Sequence, residues 1–251
     1  MITGQRVLIF GVNSAIAQAV ARLLVQRGCH VYGVGRNAEK LRAVLEDLRV
    51  RAGPDQRVGG CQADLDDIAA QPGWFDQAES FLGVIDVVLI AHGVLPDQLV
   101  CQGDLATTMA ALHSNALSAV ALAEEAAHRL QARGAGTIVA IGSVAGDRGR
   151  QSNYVYGAAK GMLALYLQGL RNRLAHHGVH VLTVKPGFVD TPMTAGFERK
   201  GWLWARPEQV ARGIVRAMDK RRDVAYLPAF WFWIMLVIRS IPERLFKRLR
   251  M

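Results

Sequence analysis

Tyr156-Gly-Ala-Ala-Lys160 puts a phenol and an ammonium at i and i+4, on one face of a helix. An ammonium beside a phenol favours phenolate, which predicts a tyrosine pKa below its usual value of about 10. Such a tyrosine exchanges a proton with a carbonyl or alkoxide oxygen near neutral pH. The same pair also fits a plain solvated helix face, so the context decides. Ser143 ends the apolar, β-branched run Thr-Ile-Val-Ala-Ile-Gly-Ser143, and Asn115 lies inside the long helical stretch before it. Pro186-Gly-Phe-Val-Asp-Thr191 follows another strand-like run. Open α/β sheets bind ligands beyond the carboxyl ends of their strands, where these polar groups collect.

A second cluster has the chemistry of anion binding. Gly11-Val-Asn-Ser-Ala15-Ile-Ala17 follows the first strand and opens a helix. A helix N-terminus offers free N–H groups and a positive dipole end to a pyrophosphate. Gly11, Asn13, Ser14, Ala15 and Ile16 are the residues expected there, with Asn13 or Ser14 as the cap. Of three expected glycines only Gly11 is present; Ala15 and Ala17 hold the other two places, so a plain strand-to-helix connection also fits. The second strand exits through Gly35-Arg36-Asn37 with no acid to take a ribose 2′-hydroxyl. Arg36 favours a 2′-phosphate, hence NADP with NAD as the alternative; an ordinary surface arginine is the other reading.

These groups need a frame. Strand-like runs at Arg6–Phe10, His30–Val34, Val58–Gln62, Val84–Ala91, Thr137–Ile141, Val179–Lys185 and Val224–Leu227 alternate with helical stretches at Ser14–Arg27, Glu39–Val50, Leu105–Gln131, Tyr154–His176 and Pro207–Lys220. Such alternation predicts one α/β domain: a seven-stranded parallel sheet flanked by helices on both faces. With 51% apolar and 20% charged residues the 251-residue chain is neither disordered nor fibrous. Cys29, Cys61 and Cys101 form no disulfide framework or zinc spacing, and no secretory signal is visible, so a cytoplasmic location is expected. A carboxyl-terminal helix dipole and solvent account for His176-His177 better than a metal does, and no metal site is expected. The net charge of +9 and pI near 9.9 favour an anionic surface as partner.

Taken together, the chain resembles the short-chain dehydrogenase/reductase family over nearly all of residues 5–228, through Asn115, Ser143, Tyr156, Lys160 and the segment Pro186–Thr191. The resemblance implies a Rossmann-like fold, with residues 1–228 as dinucleotide-binding and catalytic domain. It implies an oxidoreductase moving a hydride between a nicotinamide cofactor and a ketone or secondary alcohol. Tyr156 would be the general acid and Ser143 would bond the substrate oxygen. Lys160 would hold the nicotinamide ribose, and Asn115 would kink its helix and hold a relay water. Thr191, with Pro186, Gly187 and Val189, would meet the carboxamide; Asp64-Leu65 would meet the adenine. The family's Asn-Asn-Ala-Gly reads Ile90-Ala91-His92-Gly93 here, and His92 would either face the cofactor or stabilise the turn. Arg148 or Arg150, in the loop before Tyr156, would meet a substrate phosphate or simply face solvent.

A narrower likeness is to the bacterial subgroup that includes the reductase component of decaprenylphosphoryl-ribose 2-epimerase. It rests on Ile-Ala-His-Gly, Gly-Asp-Arg-Gly-Arg-Gln-Ser-Asn-Tyr, Lys-Pro-Gly-Phe-Val-Asp-Thr-Pro-Met-Thr and the tail. It implies a 2-keto sugar on a polyprenyl phosphate as substrate and a flavin oxidase as partner. The competing reading is a soluble carbonyl or acyl-chain reductase; no nucleic-acid partner is expected. Residues 229–251 are apolar, then basic: Phe230 to Ile238 carry no charge, and Arg239, Arg244, Lys247, Arg248 and Arg250 follow. Too short to span a bilayer, such a tail suits either the inner face of a membrane or the interface of a homo-oligomer.

Overall fold

The computed structural model describes residues 2–197 and 201–249. Seven strands form one parallel sheet: β1 (Arg6–Phe10), β2 (His30–Gly35), β3 (Val58–Gln62), β4 (Val87–Ile90), β5 (Gly136–Ile141), β6 (Val179–Pro186) and β7 (Val224–Leu227). Their order is β3-β2-β1-β4-β5-β6-β7. The order reverses between β1 and β4, which opens a crevice at their carboxyl ends. The register aligns those ends, with Phe10 beside both Val34 and Ile90, and Ile90 beside Ala140.

Strands buried on both faces read as near-continuous apolar runs, and Val7 to Phe10 are all fully buried. Helices α1 (Ala15–Gln26), α2 (Ala38–Arg51) and α8 (Pro207–Asp219) cover one face, sealing Val20, Leu24, Leu45 and Ile214 against it. Helices α3 (Gln71–Leu82), α6 (Ser118–Arg133) and α7 (Tyr154–Leu174) cover the other with Phe75, Leu122, Leu163 and Leu167. The sequence pattern missed α3 and the short α4 (Gln98–Gly103). Pro72-Gly73 at the start of α3 reads as a turn, although proline is well tolerated in a first helical turn. Six residues of α4 are too few to show a period. The fourth strand runs from Val87, just after Asp86, whose buried carboxylate pairs Arg6 and Arg133.

The long helix before β5 is divided. It runs as α5 (Leu105–Leu112), a π-helical turn at His113–Leu117, and α6. By length and composition alone Leu105–Arg133 is apolar enough to cross a membrane. Its Ala119–Leu122–Ala123–Ala126 face is nevertheless buried in the core beneath the sheet.

The tail folds back on its own chain. Helix α9 (Trp231–Ser240) inserts Trp231 and Met235 against Val144, and α10 (Glu243–Phe246) follows. Segment 230–238, uniformly apolar by composition, is thus divided by packing. Trp231 and Met235 face in, whereas Phe232, Trp233, Leu236 and Val237 face out. Arg250, the last of the basic run, lies outside the described residues. Gly187 makes the docking feasible, since a Cβ there would sit 1.9 Å from the Trp231 ring. Replacing Gly187 by alanine overpacks this contact, and overpacking costs about 1–3 kcal/mol. Thermal unfolding of Gly187→Ala is expected at lower temperature, with faster proteolytic release of the tail; an unchanged protein would mean that α9 does not dock there.

Candidate active site

A cavity of about 820 Å³ opens at the carboxyl ends of the central strands. One end is the turn after β1. Ser14 caps α1 by accepting from the Ala17 N–H, and Asn13 does other work. The Asn13 Nδ2 donates to the Asn37 carbonyl at 3.0 Å, tying this turn to the exit of β2. Asn13, Ser14, Ala15 and Ile16 line the cavity. Gly11 does not, but its role is clear. It sits at φ +80°, and a Cβ there would lie 2.6 Å from the His92 backbone nitrogen. The turns after β1 and β4 can therefore touch only if residue 11 is glycine.

Ala91, His92 and Gly93 line the middle. Ser118 donates its hydroxyl proton to the Leu65 carbonyl at 2.6 Å, so the 2.9 Å contact between His92 Nε2 and Ser118 Oγ needs an Nε2–H. That tautomer leaves the buried His92 Nδ1 a lone-pair acceptor with no partner among the described residues. Burial, helped by the charge of Lys160, pushes the imidazole down to about 3, so it stays neutral. The Leu65 carbonyl also accepts from Gln71. Leu65 thus anchors the floor, and neither it nor Asp64 lines the cavity. Arg36 is exposed and off the wall, its carbonyl accepting from Gln62. Lys40, in the first turn of α2, is the cation on this stretch of the wall. Its backbone N–H is capped by Asn37, and it reaches the cavity only because α2 starts beside the turn that Asn13 braces, a contact that the sequence pattern does not show.

The other end holds Ser143, Tyr156 and Lys160. Ser143 ends the β5 segment and starts a 3-10 turn, Val144–Asp147, by accepting from the Ala145 N–H at 3.1 Å. Tyr156 and Lys160 lie one turn apart in α7, the Lys160 Nζ 5.8 Å from the Tyr156 ring centre. The ammonium donates to the Ile141 carbonyl at 3.2 Å. Asn115 lies behind this group in the π-helical turn. Its Nδ2 donates to the Ala111 carbonyl and its Oδ1 accepts from the Val94 N–H, bracing the loop after β4. Pro186, Gly187, Val189 and Thr191 close the far wall after β6.

One electrostatic expectation is corrected. Lys160 does not bring the Tyr156 pKa below its usual value. Burial pushes the phenol up to about 12, only partly offset by its hydrogen bond with Ser143. The same dryness pushes Lys160 down to about 8. The ammonium lies over the ring face rather than at the phenolic oxygen, so desolvation outweighs attraction. At neutral pH Tyr156 is a protonated acid and Lys160 a cation.

The residues present fit a dinucleotide. A 12-residue helix points its amino end at the cavity, Lys40 adds a cation, and Asn13 Oδ1 and His92 Nδ1 are buried acceptors without protein partners among the described residues. The sequence profile described as short chain dehydrogenase matches residues 5–201. The chain belongs to the short-chain dehydrogenase/reductase family. It is 32% identical over 243 residues to an uncharacterized oxidoreductase of Mycobacterium tuberculosis, covering 97% of this chain and 96% of that one. It is also 32% identical over 189 residues to the 3-oxoacyl-[acyl-carrier-protein] reductase of Bos taurus, covering 74% and 76%. The crystal structure of levodione reductase superposes with a TM-score of 0.81 at 20% identity, over 91% of this chain and 98% of that one. The chain is therefore an NAD(P)-dependent oxidoreductase on a single Rossmann-like domain.

A pH dependence follows from Lys160. Its charge is present below about pH 8 and lost above it, while Tyr156 keeps its proton throughout that range. The kcat/KM for ketone reduction is expected to fall as pH rises through about 8. Lys160→Arg, which stays charged, should move that fall upward. A flat profile across this range would show that the Lys160 charge does not matter.

Proposed function

We propose that this short-chain reductase reduces a ketone with NADP as its cofactor. The observation that carries the reading is the convergence of Ser143, Tyr156 and Lys160 at one end of the cavity whose other end is the α1 amino terminus. When bound, the nicotinamide cofactor supplies the hydride. The Tyr156 O–H donates its proton to the ketone oxygen as negative charge develops there. Ser143 donates a hydrogen bond to the same oxygen and orients it. The Lys160 ammonium binds the ribose hydroxyls and favours transient loss of the Tyr156 proton. Asn115 holds the π-helical turn and the loop after β4 in register with α7. Lys40 on the wall and Arg36 at the strand exit, where Gly35-Arg36-Asn37 itself holds no acid to take a 2′-hydroxyl, support NADP over NAD.

Within this class we place the substrate on a lipid, as a 2-keto sugar on a polyprenyl phosphate would be; a flavin oxidase would form such a ketone. Support comes from the aromatic wall that leads out of the cavity. Phe188 stacks on Trp204 at 5.2 Å and meets Trp231 edge-on at 5.4 Å, and Trp202 contacts Phe230 at 5.9 Å. The outward face of α9 continues this surface with Trp233 and Val237, each 66% exposed, and the exposed Arg239 and Arg244 follow in the chain. Aromatic and basic residues together suit an anionic bilayer surface. The second reading, a soluble carbonyl or acyl-chain reductase, is favoured by the bovine 3-oxoacyl-[acyl-carrier-protein] reductase and by carbonyl reductase family member 4 of Danio rerio, 28% identical over 219 residues. In either reading a homo-oligomer fits the exposed Leu105, Met109, Met162 and Leu165 on α5 and α7.

Tyr156→Phe is expected to lower turnover by about 10²–10⁴-fold, the usual worth of a general acid. In fluorescence titration it should still bind NADPH, and more tightly than NADH. Near-normal turnover would remove Tyr156 from the chemistry, and equal affinities would remove the NADP assignment. For the lipid reading, the protein should sediment with anionic vesicles, less so as salt rises. The double variant Trp233→Glu, Val237→Glu should not, because it alters only the outward face of α9. If vesicles fail to bind while this variant loses its oligomer, the tail belongs to a subunit interface.

A further inference from the structure

At the substrate end, three side chains each bury one polar atom that has no protein partner among the described residues. Gln98, the first residue of α4, is only 8% exposed and lines the cavity. Its Oε1 accepts from the Val155 N–H at 3.0 Å, which fixes the amide and leaves Nε2 a buried donor with nothing to donate to. Arg150 also lines the cavity, and its Nε is buried and unpartnered. The nearby carboxylate, Asp147, is already held by Lys185 at 2.5 Å and Tyr226 at 2.6 Å. Arg148 is engaged elsewhere, pairing Glu243 at 2.6 Å and stacking on Phe246 at 4.2 Å. Asn153, at the N-cap of the 21-residue α7, does not cap it, and its Oδ1 is buried without a donor.

Buried donors without acceptors are costly, so a protein that keeps two in one cavity has a ligand for them. We propose that Gln98 Nε2 and Arg150 form a subsite for an anionic group, phosphate or carboxylate, carried by the ketone substrate. Asn153 Oδ1 accepts from a hydroxyl beside that group. The positive end of α7 adds to the attraction. A planar guanidinium matches either anion in bidentate fashion. The subsite deepens the reductase reading and rests on it, since its occupant carries the carbonyl to Ser143 and Tyr156.

The test reads binding without turnover. Calorimetric titration of inorganic phosphate, and separately of acetate, into protein saturated with NADP+ keeps the cofactor's own phosphate contacts occupied. Saturable binding of at least one anion is expected, and the one bound more tightly identifies the class. Arg150→Met and Gln98→Glu should each weaken it by about 10-fold or more, the worth of one charge-assisted hydrogen bond. Gln98→Glu keeps the acceptor for Val155 N–H, so the fold is preserved while the donor is lost. Arg148→Met and Tyr156→Phe should bind the anion as the wild type does. Because Tyr156→Phe reports on catalysis and Arg150→Met on anion binding, either reading can fail alone. Absence of saturable binding to the wild type, or unchanged affinity in Arg150→Met or in Gln98→Glu, would overturn the subsite.

Discussion

The buried carboxylate of Asp147 is the point on which the site is hung. Its side chain is 3% exposed and takes two hydrogen bonds, from Lys185 on β6 and from the Tyr226 hydroxyl on β7. Three elements at the Ser143 end of the cavity are thereby joined: the turn that begins at Ser143, the strand that ends at Pro186, and the last strand of the sheet. Removing one member of such a pair leaves an uncompensated buried charge, which typically costs about 3–5 kcal/mol. The carboxylate holds the Tyr226 proton firmly, raising that phenol above its ordinary value together with burial, the larger cause. With Asp147 fixed from two sides, Arg148 is turned outward to the tail and Arg150 inward to the cavity.

Dryness sets the chemistry of what hangs there. Burial raises Tyr156, lowers Lys160 and lowers His92, each toward its uncharged form. A phenol that holds its proton suits donation to a carbonyl oxygen better than a phenolate does. Lys160 remains a cation at neutral pH, so its charge acts with little solvent screening. Neutral His92 serves the frame by donating to Ser118, whose own proton goes to Leu65. The segments after β3 and β4 are thus tied together through α6 by two successive hydrogen bonds.

Much of this was legible in the residues. The alternation of β-branched runs with helical stretches specified the sheet, because parallel strands are buried on both faces and must be apolar throughout. Ser143, Tyr156 and Lys160 could be paired because strand ends and helix faces place side chains by simple periodicity. Where the sequence misled, the cause was three-dimensional. The i, i+4 spacing of Tyr156 and Lys160 put them on one face without revealing that the face is dry, and dryness reversed the direction of the Tyr156 shift. Arg148 and Arg150 were equivalent in sequence; only the folded tail, bringing Glu243 and Phe246 to Arg148, separates them. Gln98 was invisible because its signal is an absent partner. Lys40 went unnoticed because α2 starts beside the turn that Asn13 braces, a contact between elements far apart in the chain.

The tail shows why composition alone could not assign it. Nine uncharged residues in a row suggest a segment covered on all sides, yet α9 buries one side in its own chain through Trp231 and Met235. That side backs the cavity wall, since Trp231 packs on Phe188 and against Gly187, both of which line the cavity. The opposite side carries Trp233 and Val237 outward. A single helix therefore joins the substrate wall to an exposed apolar surface across its own diameter, about 10 Å. The Arg148–Glu243 pair carries the same connection along the rim, linking the turn after Ser143 to α10. Because interiors are close-packed, Trp231 leaves little slack between α9 and the cavity-lining Phe188 and Gly187.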